Sequence, residues 1–234
     1  MRTVFGELTY TTLKRRVADE IQQAILTGTL HEGERIVERK LAKQFGASLT
    51  SVREALTELE AQGFVTKKPN FATYVIKFSP AAVEKMFDFR RIVEVYTIEE
   101  ACRAASPEGL ERLQQAHQEL LAAAHRQDTR LYLQKDLALH EVIWRLSSNE
   151  YFEIALKRVV RPFFAFTDIR YGAGDSFDLV EDAEHHLAFV KAIGARDAEA
   201  AKTAYLHALT EWQEQTRAYV FSEGHREGHQ AAIS

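Results

Sequence analysis

Asp136 and His140 stand four residues apart in the segment DLALH. On a helix that spacing puts both side chains on one face, where a carboxylate oxygen and an imidazole nitrogen can grip one cation. Further on come the adjacent pair His185-His186 and then His207. If helices carry all of these positions, a bundle can bring them to one central point. A carboxylate with imidazoles suits a divalent transition metal. Zinc and nickel come first, manganese and iron also qualify, and affinity order alone does not choose among them. The plainer reading is a scatter of surface or hydrogen-bonded core histidines. The chain has nine histidines, and one i,i+4 pair is only half a metal site. Cys102, the single cysteine, lies in an apolar run and reads as a small buried hydrophobe rather than a reactive thiol. With one cysteine no disulfide can form within the chain, and a cytosolic setting is expected. The chain carries no nucleophile motif and no phosphate-binding loop.

A second group of residues suits a different chemistry. The stretch from Glu38 to Phe64, ERKLAKQFGASLTSVREALTELEAQGF, reads as two short helices joined by a turn at Gly46 and closed by Gly63. That is the pattern of a helix-turn-helix reader of duplex DNA. A recognition helix needs short polar groups at its start and a long cation to reach a base or a phosphate. Ser48, Thr50, Ser51 and Arg53 fill those places. Arg35 and Lys43 precede the helix and are placed to hold phosphates. Lys67 and Lys68 follow it and are placed to run along the backbone or the minor groove. Each of these alone reads equally well as a solvated surface charge. As a set around a helix-turn-helix they point to DNA.

The rest of the chain must position these groups. It has 234 residues, 46% of them apolar, with 4 prolines and 11 glycines, a composition that suits helices better than a loop-rich β fold. Apolar spacing predicts a first helix over 11–27, stopped by Gly28, then helices near 38–45 and from Ser48 or Thr50 to Gln62. A small β-hairpin follows at Phe64-Val65 and Thr73–Ile76 around Lys67-Lys68-Pro69-Asn70. Three helices and a hairpin are the order of a winged helix-turn-helix. Ser79-Pro80 reads as the cap and first residue of a new helix. The expected domains are therefore 1–78, a DNA-binding head, and 79–222, a helical body, with a polar tail at 223–234. In the body, helices are expected at 80–104, 107–126, 129–146, 150–171, 176–194 and 197–220. Their short connections imply an antiparallel all-α bundle. Net charge is −4, yet residues 1–78 carry 12 Lys and Arg against 9 Asp and Glu, while the remainder carries 18 against 25. A basic head on an acidic body fits DNA binding by the head alone. No run approaches the roughly 18 apolar residues of a membrane helix, and no signal-peptide core opens the chain.

The motif GERIVERKLAKQFGASLTSVREALTELEAQGFV resembles the GntR family of bacterial transcription regulators, over roughly residues 11–76. The resemblance implies operator contacts by Arg35, Arg53 and the wing. The chain departs from the family's pattern at Leu49, where arginine is usual, and at Ser51, where proline is usual. It departs again at Asn70-Phe71-Ala72, where an Arg-Gly pair usually tips the wing. The segments FRRIVEVYTIEEAC, DLALHEVIWRLSSNEYF and EHHLAFVKAIGARDAEAAKTAYLHAL resemble the FCD domain of the FadR subfamily. That resemblance implies a homodimer, metal ligands at Asp136, His140, one of His185 and His186, and His207, and a small carboxylate effector anchored at the metal. His186 is preferred because Phe189 and Ile193 then share its buried face, and His185 stays as the alternative. Arg90 is placed either to clamp the effector's carboxylate or to pair with Glu94 one turn on. Trp144, Phe163, Phe164 and Phe166 line the pocket or form plain core. The expected function is a ligand-responsive regulator, with repression the commoner mode of the family. A metal-dependent enzyme fused to a DNA-binding head, and a body that only dimerises, are the alternatives.

Overall fold

In the computed structural model, residues 13–26, 29–68, 72–171 and 178–220 are described. The chain forms two compact units, residues 1–77 and 78–234.

The first unit contains α1 (Leu13–Leu26), β1 (Arg35–Ile36), α2 (Glu38–Phe45), α3 (Leu49–Ala61), β2 (Val65–Lys68) and β3 (Ala72–Val75). Helix α1 buries Val17, Ala18, Ile21 and Ile25, a helical stripe that packs on Val52, Ala55, Leu56 and Leu59 of α3. Gly46 closes α2 in the left-handed conformation, at φ 59°, which glycine adopts without a Cβ clash. The tight turn this permits leads directly to Ser48, the N-cap of α3. The three strands form an antiparallel sheet in the order β1-β3-β2, with Val65 opposite Val75 and Arg35 opposite Tyr74. The sequence pattern predicts only the hairpin, with Arg35–Ile36 in the connection before α2, and the third strand is a correction to it. Two residues are too few to show an alternating pattern. The expected helix stop at Gly28 and the wing-tip residues Pro69, Asn70 and Phe71 lie outside the described residues.

The second unit contains α4 (Pro80–Ala104), α5 (Pro107–His125), α6 (Thr129–Leu146), α7 (Glu150–Tyr171), α8 (Leu179–Gly194) and α9 (Ala198–Val220). These match the expected helices to within a few residues, because cap chemistry marks their ends. Ser79, Ser106 and Asp128 each accept a backbone N–H in the first turn that follows, and proline occupies the first position of α4 and α5. Asp178 accepts from Val180 and Glu181, which sets the start of α8. The expected break at Gly172–Gly174 and the tail 223–234 fall outside the described residues. Phe78, read as the last residue of the head, packs its ring on Phe163 and Phe166 at 5.6 and 5.1 Å and belongs with the helices. Arg196, at the α8–α9 turn, donates to the carbonyls of Cys102 and Ala105 at 3.0 and 2.7 Å, so it caps the orphan C-terminal carbonyls of α4. Cys102 is buried, and burial pushes its thiol pKa up, as expected of an inert core residue. Among the described residues no helix is long and apolar enough to cross a membrane.

Candidate functional site

In the first unit the exposed face of α3 carries the residues read as DNA contacts. Ser48 Oγ accepts the Ser51 N–H at 3.0 Å and lies 2.9 Å from Ser51 Oγ. The two serines therefore serve first as a helix cap, with Thr50 exposed between them. Ser51 can give this backbone donor, whereas a proline there could not. Leu49, the first residue of α3, is partly exposed on the same turn. Arg53 stands one turn further along. Its Nε donates to Glu38 Oε2 of α2 at 2.7 Å, and its side chain is 65% exposed. A pair this open is worth well under about 1 kcal/mol, so a phosphate or a guanine edge can replace Glu38 at little cost. Lys67 is turned onto α3. Its Nζ donates to Thr57 Oγ1 at 2.9 Å and lies 3.2 Å from a Glu60 carboxylate oxygen. Lys68 lies over the Tyr74 ring, 4.8 Å from its centroid. Arg35, on the edge strand β1, and Lys43, in the last turn of α2, are both exposed. Glu38, Thr57 and Glu60, which hold the cations in place, went unread in the sequence because they act across elements.

In the second unit a polar cluster sits inside the helices. The α6 positions Tyr132, Asp136, His140 and Trp144 repeat every four residues, so one stripe of the helix carries all four, each buried. His186 enters from α8, and Arg90 and Glu94 from α4, also buried. Asp136 Oδ1 lies 2.9 Å from His186 Nε2 and 3.4 Å from His140 Nε2, yet it has no aligned hydrogen bond to any partner. Each of the three residues offers a ligand atom, and these atoms all fall within 4.8 Å of one another. Behind this group, His186 Nδ1–H donates to the Asp182 carbonyl at 2.7 Å, which turns Nε2 toward Asp136. The Asp182 carboxylate accepts from Tyr132 Oη at 2.5 Å. His140 Nδ1 faces Glu94 Oε1 at 3.6 Å. Burial alone would lower the His186 pKa, but Asp136 and Asp182 outweigh it and raise the imidazole to about 9. Burial alone would raise the Asp136 pKa, and His186 and His140 instead hold its carboxyl well below the usual range. A cation entering the group competes with the His186 proton.

Glu94 is the most heavily bonded residue of the cluster. It accepts from Arg90 Nε at 2.5 Å, from Trp144 Nε1 at 2.9 Å, and from Tyr205 Oη of α9. The guanidinium of Arg90 lies over Trp212, 4.7 Å from the ring centroid, and its Nη1 is buried with no hydrogen-bond partner. Arg90 thus pairs with Glu94, as one of its two readings held, while keeping one donor unused. The cavity lined by Arg90, Asp136, His140, His186, Tyr205 and Ala208 measures about 10 Å³ to a water-sized sphere. That is roughly the room one water or one ion requires.

His207 does not reach this group. It is exposed on α9, its ring centroid 5.1 Å from that of His185 on α8, and its neighbour Ala208 faces the cavity instead. One residue turns a helical side chain by about 100°, so the step from 208 to 207 moves it from inside to outside. The structure brings together Asp136, His140 and His186, and leaves His185 and His207 as a separate surface pair. Of the aromatics read as pocket wall or core, Trp144 and Phe164 border the cluster through Glu94 and Arg90. Phe163 and Phe166 stack in the core. Tyr132, Asp182 and Tyr205 were not foreseen. Tyr132 and Asp182 were detectable, each one turn before a candidate ligand.

Residues 13–75 match the bacterial regulatory proteins of the gntR family, and residues 85–211 match the FCD domain. The gluconate operon transcriptional repressor of Bacillus licheniformis is 25% identical over 186 residues, covering 78% of this chain and 76% of that one. The HTH-type transcriptional regulator McbR of Escherichia coli is 22% identical over 221 residues, 94% of this chain and 98% of that one. In fold, E. coli McbR/YncC superposes with a TM-score of 0.74 at 20% identity, over 89% of this chain and 100% of that chain. A putative GntR transcriptional regulator from a Rhodococcus species gives 0.70 at 19% identity, over 88% and 97%. In this chain the gntR match precedes the FCD match. The chain belongs to the GntR family of bacterial DNA-binding transcription regulators, in the FadR-like subfamily that carries an FCD domain.

Proposed function

We propose that the protein is a homodimeric repressor whose helical domain holds a divalent transition metal at Asp136, His140 and His186 and responds there to a small carboxylate metabolite. The observation that carries the metal is Asp136 Oδ1, a buried carboxylate oxygen between two imidazole nitrogens, with no aligned hydrogen bond and about one ion's room beside it. A buried carboxylate oxygen faced by two imidazoles but aligned with neither is under-satisfied, and a cation taking the place of the His186 proton would satisfy it. The donor set suits zinc or nickel, with manganese or iron also accommodated. When bound, such an ion supplies a positive charge and open positions for an oxygen ligand. The His186 tautomer is held by the Asp182 carbonyl, and Tyr132 holds Asp182.

Arg90 Nη1, buried and without a partner, supports the carboxylate. The cavity is too small for a metabolite as it stands, so entry requires Arg90 to part from Glu94 or α9 to shift with Tyr205 and Ala208. Binding is then tied to one arrangement of the helices over another, which is what allosteric control requires. Repression is supported by relatives named as gluconate operon repressors. Dimerisation is supported by large apolar side chains left exposed on two adjoining helices: Ile92 and Tyr96 on α4, Tyr151 and Ile154 on α7, with Tyr96 packed edge-on against Phe152. The head, residues 1–77, reads the operator with Ser48, Thr50, Ser51 and Arg53, while Arg35, Lys43, Lys67 and Lys68 hold phosphates. A two-fold dimer implies a palindromic site.

Elemental analysis of the full chain, purified without chelator, tests the metal. About one transition-metal ion per chain is expected at this inner site, and Asp136→Ala is expected to lose that equivalent. A wild-type protein that carries none and takes up none overturns the reading.

A further inference from the structure

We infer that His185 and His207 form a second, surface site for a divalent transition metal, one that staples α8 to α9. The two rings are 5.1 Å apart between centroids, at 74° to each other. Two imidazoles sharing one tetrahedral ion, each at the usual zinc–nitrogen distance, place their centroids roughly 5 Å apart. The pair is open to solvent, with His185 half-buried and His207 exposed, so a hydrated ion can reach it and keep its remaining waters. The pair joins the two helices that pack most closely along α8, across a short connection at Ala195–Asp197.

The surroundings favour a cation over a mere ring contact. Glu181 stands one turn before His185, and Glu211 one turn after His207. Because α8 and α9 are antiparallel, both carboxylates fall on the same side of the histidine pair. Glu181 is exposed and Glu211 half-buried. Two imidazoles form a donor pair for zinc, nickel or copper, and the nearby carboxylates draw a cation in by charge rather than by coordination, since Asp136, His140 and His186 are the one group of three ligand atoms within reach of one another among the described residues. This group shares no side chain with Asp136, His140 and His186. It needs neither the inner metal nor the carboxylate effector.

Titration of the metal-free full chain with zinc, followed by equilibrium dialysis and elemental analysis, tests the assignment. His207→Ala and His185→Ala, both surface changes, are each expected to bind one zinc equivalent fewer than wild type while keeping the inner equivalent. Zinc is also expected to raise the unfolding temperature of wild type more than that of His207→Ala, because an ion bound only by the folded hairpin stabilises it. If both variants bind as much zinc as wild type, the site does not exist. If His207→Ala abolishes zinc binding altogether, His207 serves the inner ion and the proposal is equally overturned. If the zinc-induced rise in unfolding temperature is the same in wild type and variant, the stapling of the helices is refuted.

Discussion

Glu94→Gln should destabilise the helical unit more than any surface substitution. Glu94 and Arg90 are each 1% exposed, and the carboxylate accepts from Arg90 Nε at 2.5 Å, from Trp144 Nε1 and from Tyr205 Oη. Burial alone would raise the Glu94 pKa, but Arg90 beside it holds the carboxyl below its usual range, so the residue is an anion. Glutamine keeps the shape and one acceptor but deletes the charge. Arg90 then remains as a buried cation, and among the carboxylates that act on it only Asp136 is left. Breaking a buried pair in this way costs about 3–5 kcal/mol. At roughly 2–4 °C per kcal/mol for a unit of this size, the unfolding temperature falls by about 6–20 °C. The assay is thermal unfolding of the metal-free full chain, followed by far-ultraviolet circular dichroism. The double substitution Arg90→Leu with Glu94→Leu supplies the control, because removing both charges together costs far less than removing one. A loss below about 1 kcal/mol in Glu94→Gln would refute the reasoning. It would mean that water reaches the pair and screens it. A double variant as unstable as the single one would show that packing, and not the uncompensated charge, sets the cost.

Two further outcomes follow from the same structure. Arg53→Ala should weaken operator binding by about 1–3 kcal/mol and relax specificity at one base position if the guanidinium reads a base. If it holds a phosphate instead, binding weakens evenly across sequences and the salt dependence flattens by about one counterion. Unchanged affinity at moderate salt in a gel-shift or anisotropy assay would remove Arg53 from the interface. The pH dependence of stability should carry the mark of His117. Burial lowers its pKa, the hydrogen bond from Nε2 to the Ala183 carbonyl opposes that, and the charge of His186 adds to the lowering. A depressed folded-state value means that the unfolded chain takes the proton first. The stability from this residue is therefore complete above about pH 6.5 and declines as pH falls below it. Urea midpoints measured from pH 8 to pH 5 should fall less steeply for His117→Gln than for wild type. Parallel curves would show that the ring does not titrate in this range.

What the sequence reveals, and what it hides, divides along one physical line. Helical periodicity and cap residues are local, so α4, α6 and α7 begin where Ser79-Pro80, Asp128 and Asn149 indicate. The pairing of Asp136 with His140 is local as well, since four residues make one turn. The rest of the site joins α4, α6, α8 and α9, and the phase of one helix against another is not local. His207 and Ala208 illustrate this. Both lie on α9, and only the packing of Leu209 and Trp212 into the core decides which of them faces the cavity. Arg90 poses the same difficulty in another form. From sequence its two roles weigh equally, because the partners that engage Glu94 and cover the guanidinium, Trp144, Tyr205 and Trp212, come from other helices. The resulting cluster buries three acidic groups, an arginine and two histidines where apolar side chains would pack at less cost. That cost is the ground on which the cation is proposed. Beside the same small cavity, Asp136 Oδ1 faces two imidazoles with no aligned hydrogen bond, and Arg90 Nη1 has no hydrogen-bond partner. One is an acceptor suited to a metal and the other a donor suited to that metal's oxygen ligand. A cluster built only for stability would have satisfied both from within.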